Sequence, residues 1–209
     1  VKHWQGVLTK SKKALSILEA KGITDKSLFT RFSLGYSDGS LTDKLGKGQR
    51  LFLQQEGILN PEGEETFTDS VIIPLCDDQG KAVNLFSWNS KQGNGEHTHY
   101  LYREQRGIFN RKASKVYPDN LLLTGTMLEA LALLQLGFEN VQTLGGQKEL
   151  TEEHAALFQA DRVKAVVLAF QPSDELKNAL LKLGITVRVI APETGKSWNE
   201  ALINGLSRK

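Results

Sequence analysis

Leu121-Leu-Leu-Thr-Gly-Thr-Met-Leu-Glu-Ala-Leu-Ala-Leu-Leu-Gln-Leu-Gly137, with Val141-Gln-Thr-Leu144 just beyond it, decides the fold class. Leu121 to Thr124 is an apolar run of strand length. Met127, Leu128, Leu131 and Leu134 then recur at i, i+1, i+4 and i+7, which is one face of a helix. Gly137 stands where a helix takes its left-handed closing residue, a conformation that costs glycine nothing. Val141 to Leu144 reads as a second short strand. A strand, a helix and a strand at this spacing make a βαβ unit with parallel strands.

The pattern repeats downstream. Thr151 is a good N-cap, and Glu152 and Glu153 complement the helix dipole behind it. Val163 to Phe170 is apolar apart from Lys164, as expected of a strand covered on both faces. Ser173, Asp174 and Glu175 open another helix, Gly184 closes it, and Ile185 to Ile190 is the next strand. Residues 118–209 are therefore expected to form an α/β unit, a mostly parallel sheet flanked by helices.

Residues 1–117 have a different texture and are expected to form a smaller mixed α+β subdomain. Ala14, Leu15, Ile17 and Leu18 mark a helix over Ser11 to Ala20, and Leu28, Phe29 and Phe32 mark one over Thr24 to Phe32. Gly35 to Gly48 reads as loop, Gln49 to Glu56 as a third helix, and Asn60 to Thr66 as a polar turn. Val71 to Leu75 and Ala82 to Trp88, joined by a turn at Asp77 to Gly80, read as a hairpin, and Lys91 to His97 as a polar loop.

Composition narrows the class. With 209 residues, 40% hydrophobic and 24% charged, the chain has room for one large α/β unit or two small ones. No run approaches the roughly 18 apolar residues of a membrane helix, so no membrane partner is expected. The single cysteine, Cys76, excludes an internal disulfide framework and a Cys-rich zinc site, and a reducing, cytoplasmic setting is expected. A first residue of Val instead of Met reads as a piece of a longer chain.

Net charge is only +2, but it is unevenly spread. Residues 1–50 carry ten Lys/Arg against four Asp/Glu, residues 51–90 one against seven, and residues 91–120 six against three. Two basic blocks around an acidic one point to a polyanionic partner, with a plain solvated surface as the other reading.

Ligands of open α/β sheets bind outside the carboxyl ends of the strands. Those ends are Thr124-Gly125-Thr126, Leu144-Gly145-Gly146, Phe170-Gln171-Pro172-Ser173 and Ala191-Pro192-Glu193. The first three are small or neutral polar. A magnesium site for phosphoryl transfer takes hard oxygens, usually including carboxylates, and a two-metal site takes more.

Leu122-Leu-Thr-Gly-Thr-Met-Leu-Glu-Ala-Leu-Ala-Leu133 resembles the first motif of TOPRIM domains, in which a strand ends in Glu-Gly and the next helix carries an acid. Val166-Val-Leu-Ala-Phe-Gln-Pro-Ser-Asp-Glu175 resembles the strand that ends in Asp-x-Asp, and Pro192-Glu-Thr-Gly-Lys-Ser-Trp-Asn-Glu200 the segment that supplies a further Asp. Upstream, the Leu-Glu-Ala-Lys-Gly-Ile and Arg-Phe-Ser-Leu-Gly-Tyr phrases within Ala14 to Tyr36, and the Asp-x-x-Gly-Lys-Ala-Val hairpin within Ser70 to Phe86, resemble the catalytic core of bacterial DNA primases. The resemblance spans residues 11–205. It implies a primase-like subdomain over 1–117 followed by a TOPRIM-like one over 118–209.

The departures carry as much meaning as the match. By position, Gly125 replaces the family's catalytic Glu, Gln171 and Ser173 replace the Asp-x-Asp pair, and Ser197 replaces the later Asp. Only the helix acid remains, as Glu129. The resemblance thus implies a degenerate TOPRIM domain with no metal ligands and no cofactor. Mg2+ enters only under the alternative of an active primase or other TOPRIM nucleotidyl transferase using Glu129 with Asp174 or Glu175.

Other residues have plain structural readings beside functional ones. Ser173 is a natural N-cap, Glu129 a helix acid and Gly145-Gly146 a loop. Trp4, Trp88 and Trp198 read as packing anchors, and Lys10, Lys12 and Lys13 as a solvated helix start. His97 and His99 project from one face of a strand without an evident third metal ligand. His99, Arg103, Arg106, Arg111 and Lys112, interleaved with Tyr100, Tyr102 and Phe109, form a candidate surface for single-stranded DNA or RNA, on which phosphates meet cations and bases stack on rings. The bland reading is a charged connector with its aromatics in the core. The leading expectation is a primase-like nucleic-acid-binding protein serving DNA replication or mobile-element maintenance, alongside further domains of a longer primase-like protein. A protein-binding scaffold without nucleic acid is the third reading.

Overall fold

The computed structural model describes residues 1–91, 95–102, 106–192 and 196–205. The chain divides into two compact units, one built from residues 1–19, 25–75 and 82–104, the other from 20–24, 76–81 and 105–209.

In the first unit, helices α1 (Lys2–Leu8), α2 (Lys12–Glu19) and α3 (Lys26–Arg31) precede strand β1 (Gly35–Ser37), a 3-10 turn at Ser40–Lys44 and helix α4 (Lys47–Gln55). Strands β2 (Ser70–Cys76), β3 (Ala82–Lys91) and β4 (Gly95–Tyr100) follow. The sheet runs β1-β2-β3-β4, with β1 antiparallel to β2 and β4 antiparallel to β3. Trp4, Phe67, Ile72 and Leu85 form a buried cluster. Gly35 is required by proximity, since a Cβ there would lie 2.6 Å from the Cβ of Trp4, and α1 rests directly on β1.

The buried carboxylate of Glu65 fixes this arrangement. It accepts from the Trp4 indole at 2.7 Å, the Ser37 hydroxyl at 2.5 Å and the Leu41 amide at 2.7 Å. At 4% exposure the carboxyl group must find its partners within the protein, and these three supply them. Both α1 and β1 escaped the sequence reading. The first is short, and the second lies in a glycine-rich stretch read as loop; tertiary contacts, not local pattern, make them.

The second unit opens with α5 (Lys112–Val116). It continues with β5 (Leu121–Thr124), α6 (Met127–Gln135), β6 (Val141–Thr143), α7 (Glu152–Ala160), β7 (Ala165–Leu168), α8 (Asp174–Lys182), β8 (Thr186–Val189) and α9 (Trp198–Ile203). The sheet order is β6-β5-β7-β8 and every pair is parallel. The expected mostly parallel α/β sheet is what forms. Helices α6, α7, α8 and α9 begin on Thr126, Thr151, Ser173 and Ser197, each accepting a backbone N–H with its hydroxyl, an interaction worth about 1 kcal/mol.

The sequence reading divides the chain at 117/118. In the structure, residues 105–117 pack with the second unit. Ile108 and Ala113 enter its core, the Ser114 hydroxyl donates to Asp161 at 2.6 Å, and Asn110 Nδ2 donates to the Val141 carbonyl at 2.7 Å. The short connection 20–24 also belongs there. Thr24 N–H donates to Gln135 Oε1 at 2.6 Å, Gln135 Nε2 donates to the Gly22 carbonyl, and Asn199 Nδ2 donates to the Lys21 carbonyl at 3.0 Å.

His154, buried in α7, ties that helix to the sheet. Its Nε2 lies 3.2 Å from the Thr143 carbonyl and its Nδ1 2.7 Å from the Thr151 hydroxyl. Burial, helped by the charge of Arg111, pushes its pKa down to about 4. The unfolded imidazole takes up its proton near pH 6.5 while the folded one stays neutral, so stability is full above pH 6.5 and falls as pH drops towards 4. The His154 share of this loss is about 3 kcal/mol. Urea midpoints between pH 7 and pH 4 should show it, with His154→Gln lacking that part of the slope. Equal slopes in parent and variant would contradict the assignment.

Candidate functional site

The carboxyl ends of β5, β6 and β7 open to one edge of the parallel sheet. Gly125 follows β5, and a Cβ placed there would lie 3.6 Å from the Phe170 ring and 3.9 Å from Glu129 Oε2. There is room for a side chain at 125, and Phe170 and Glu129 are what it would meet.

Glu129 is held by the chain itself. Its Oε2 accepts from the Thr126 hydroxyl at 3.0 Å, and its amide donates to the same hydroxyl at 3.3 Å. Thr126 is thus the N-cap of α6, and its hydroxyl both accepts from the helix and donates to the Glu129 side chain. Burial raises the Glu129 pKa, and the hydrogen bonds from Thr126 and Trp198 counter only part of that shift. The Trp198 indole in turn donates to the Ala169 carbonyl at 2.5 Å, which fastens the start of α9 beside the end of β7.

The remaining positions are committed to local structure or to solvent. Gln171 is exposed, and the hydroxyls of Ser173 and Ser197 cap α8 and α9. Asp174 is exposed and pairs with Lys177 at 3.1 Å, and Glu175 is exposed. Among the described residues no three His, Cys, Asp or Glu side chains gather where a metal ion would be held. Glu193 lies outside the described residues. The described groups near this edge are thus hydroxyls, an amide and one carboxylate that already accepts from the Thr126 hydroxyl.

The candidate nucleic-acid residues fall in both units. His99, on β4 in the first unit, is exposed, and so is His97. Across the ladder His99 faces Ser87 and His97 faces Asn89. These four, with Phe67 and Ser70, line a pocket of about 230 Å3. Asn89 is 8% exposed, and among the described residues its Oδ1 meets no hydrogen-bond donor. Nothing in the sequence marked Asn89, because its burial depends on the β3–β4 pairing.

In the second unit Arg106 and Lys112 are exposed. Arg111 is half-buried and pairs with Glu153 at 3.2 Å, while the other Glu153 oxygen accepts from the Gly107 amide at 2.8 Å. Arg103 lies outside the described residues. The aromatics do not form a free stack. Phe109 is buried at 3% exposure, Tyr102 donates to Glu56 at 2.7 Å, and Tyr100 packs edge-on to Phe86 with burial pushing its pKa up to about 12. Trp4 and Trp88 are buried, as expected of packing anchors.

No family model matches this chain, and no curated protein does. Solved structures do match it. A Pseudomonas aeruginosa DNA primase domain superposes with a TM-score of 0.74 at 17% identity, covering 98% of this chain and 72% of that one. The zinc-binding and RNA polymerase domains of Aquifex aeolicus primase give 0.74 at 21% identity, covering 95% and 54%. A DnaG primase catalytic domain bound to ssDNA gives 0.73 at 16%, covering 99% and 74%. The fold is that of a DNA primase catalytic core. The primase-like architecture that the residues resembled, TOPRIM part included, is therefore present, and at these identities the likeness speaks for fold alone. Among the described residues no helix is long and apolar enough to cross a membrane.

Glu129→Gln tests the burial of this charge. Gln keeps an oxygen for the Thr126 hydroxyl and removes the partly buried charge. Because the folded pKa is raised, the carboxyl contributes most below the unfolded value and loses that contribution as pH rises through the folded one. The variant's stability relative to the parent should therefore be better at pH 7 than at pH 4, as read by urea midpoints. The reverse order would contradict the burial argument.

Proposed function

We propose that this chain is a primase-like nucleic-acid-binding protein whose TOPRIM part has lost its metal-binding acids, acting in DNA replication or mobile-element maintenance in the cytoplasm without Mg2+ as a cofactor. The observation that carries this reading is the make-up of the sheet edge. Where primer synthesis would need several carboxylates to neutralise two cations and a triphosphate, there stand a hydrogen at Gly125, an amide at Gln171, a capping hydroxyl at Ser173 and the self-bonded Glu129. An amide and a hydroxyl carry no charge at pH 7, and a single carboxylate does not neutralise two divalent cations.

Nucleic-acid binding is supported by the primase fold, by one matching domain having been solved with ssDNA, and by the exposed Arg106, Lys112 and His99. Single-stranded DNA or RNA is the proposed partner. The committed hydrogen bonds and burial of Tyr102 and Phe109 favour contacts to phosphate over base stacking on these rings.

Fluorescence anisotropy with labelled single-stranded DNA, beside a Mg2+-dependent primer-synthesis assay, tests both halves. Binding that weakens steeply with salt and yields no primer is expected. Arg106→Ala with Lys112→Ala should flatten the slope of log affinity against log salt by about 0.7 per lost phosphate contact. Primer made above background and lost on Glu129→Ala would overturn the first half. No binding even at low salt would overturn the second and favour a protein scaffold.

A further inference from the structure

In the first unit, α1, the start of α2 and the segment after β1 enclose a cleft of about 580 Å3. Its lining includes Lys2, Lys10 and Lys44, with His3, Ser40 and Asp38. The three lysines are exposed, and among the described residues none of them pairs with a carboxylate. Asp38 is the one acid in the lining, and its carboxylate already accepts from the Ser40 amide at 3.0 Å. The His3 ring lies 3.1 Å from the Ser40 hydroxyl, which places a further polar pair beside the cations.

Cations without counter-charges around a concave surface repel one another, and low-dielectric walls focus their field into the cleft. An anion relieves both effects. We propose that this cleft is a phosphate-binding site that holds the sugar-phosphate backbone of a single-stranded nucleic acid, a second point of attachment separate from Arg106 and Lys112. The inference rests on the nucleic-acid reading above and adds to it a place for the backbone. Lysines suit this role, because each offers a mobile point charge that follows a flexible phosphate chain. The pocket at Asn89 and His97 contrasts with it, since its lining has no lysine or arginine. The sequence showed the basic bias of residues 1–50, but Lys2 and Lys44 are far apart in the chain and only the fold gathers them with Lys10.

The test uses the full chain and labelled single-stranded DNA, with anisotropy measured over a range of salt. A Lys2→Gln/Lys10→Gln/Lys44→Gln variant is compared with Lys26→Gln/Lys148→Gln/Lys182→Gln, which changes net charge equally at exposed positions elsewhere. Thermal melts confirm that both fold. The cleft variant should lose about ten-fold or more in affinity at low salt, and its salt slope should fall by about 2, three contacts at roughly 0.7 each. Single Lys44→Gln should lower the slope by about 0.7. A cleft variant that binds like the parent, or that loses no more than the control variant, overturns the proposal and leaves the nucleic-acid reading standing. A parent chain that does not bind at low salt overturns both.

Discussion

At the mouth of the parallel sheet the Glu129 carboxylate is satisfied from within. The Thr126 hydroxyl, the N-cap of α6, donates to it at 3.0 Å. Glu129 lies in the first turn of that helix, close to position 125. The carboxylate is partly buried, and burial raises its pKa. Nearby Phe170 packs onto the core of the second unit. The described hydroxyls of Ser173 and Ser197 at this end of the sheet serve as helix caps.

The second unit was legible because its signals are local. Apolar runs of strand length, helical spacing in Met127 to Leu134 and hydroxyl caps at Thr151 and Ser173 all agree with one another, and the parallel sheet follows. The first unit was less legible. Its α1 depends on Gly35 yielding space and on Glu65 accepting from Trp4, groups distant in sequence. The interleaved units were invisible too, because Gln135 and Asn199 reach back to residues 21–24 through hydrogen bonds no pattern announces.

The candidate sites divide in the same way. Which residue types stand at the strand ends is read directly from the sequence. What Glu129 does there is only half readable: the Thr126 cap is local, but the burial that raises the Glu129 pKa comes from the folded surroundings. The aromatic and basic stretch near residues 99–112 looked like one surface. The fold puts His99 in one unit and Arg106, Arg111 and Lys112 in the other, spends Arg111 on Glu153, and buries Phe109. Aromatic residues read ambiguously in the sequence, because a ring serves either the core or a ligand.

The central claim concerns cation affinity at one sheet edge, and Mn2+ reports it most directly. Electron paramagnetic resonance of Mn2+ titrated with the intact chain, with a nucleoside triphosphate and without, distinguishes free from protein-bound ion. The account predicts that adding the chain changes neither the free-ion signal nor that of the Mn2+–nucleotide complex. A stoichiometric bound signal that disappears on Glu129→Ala would contradict it.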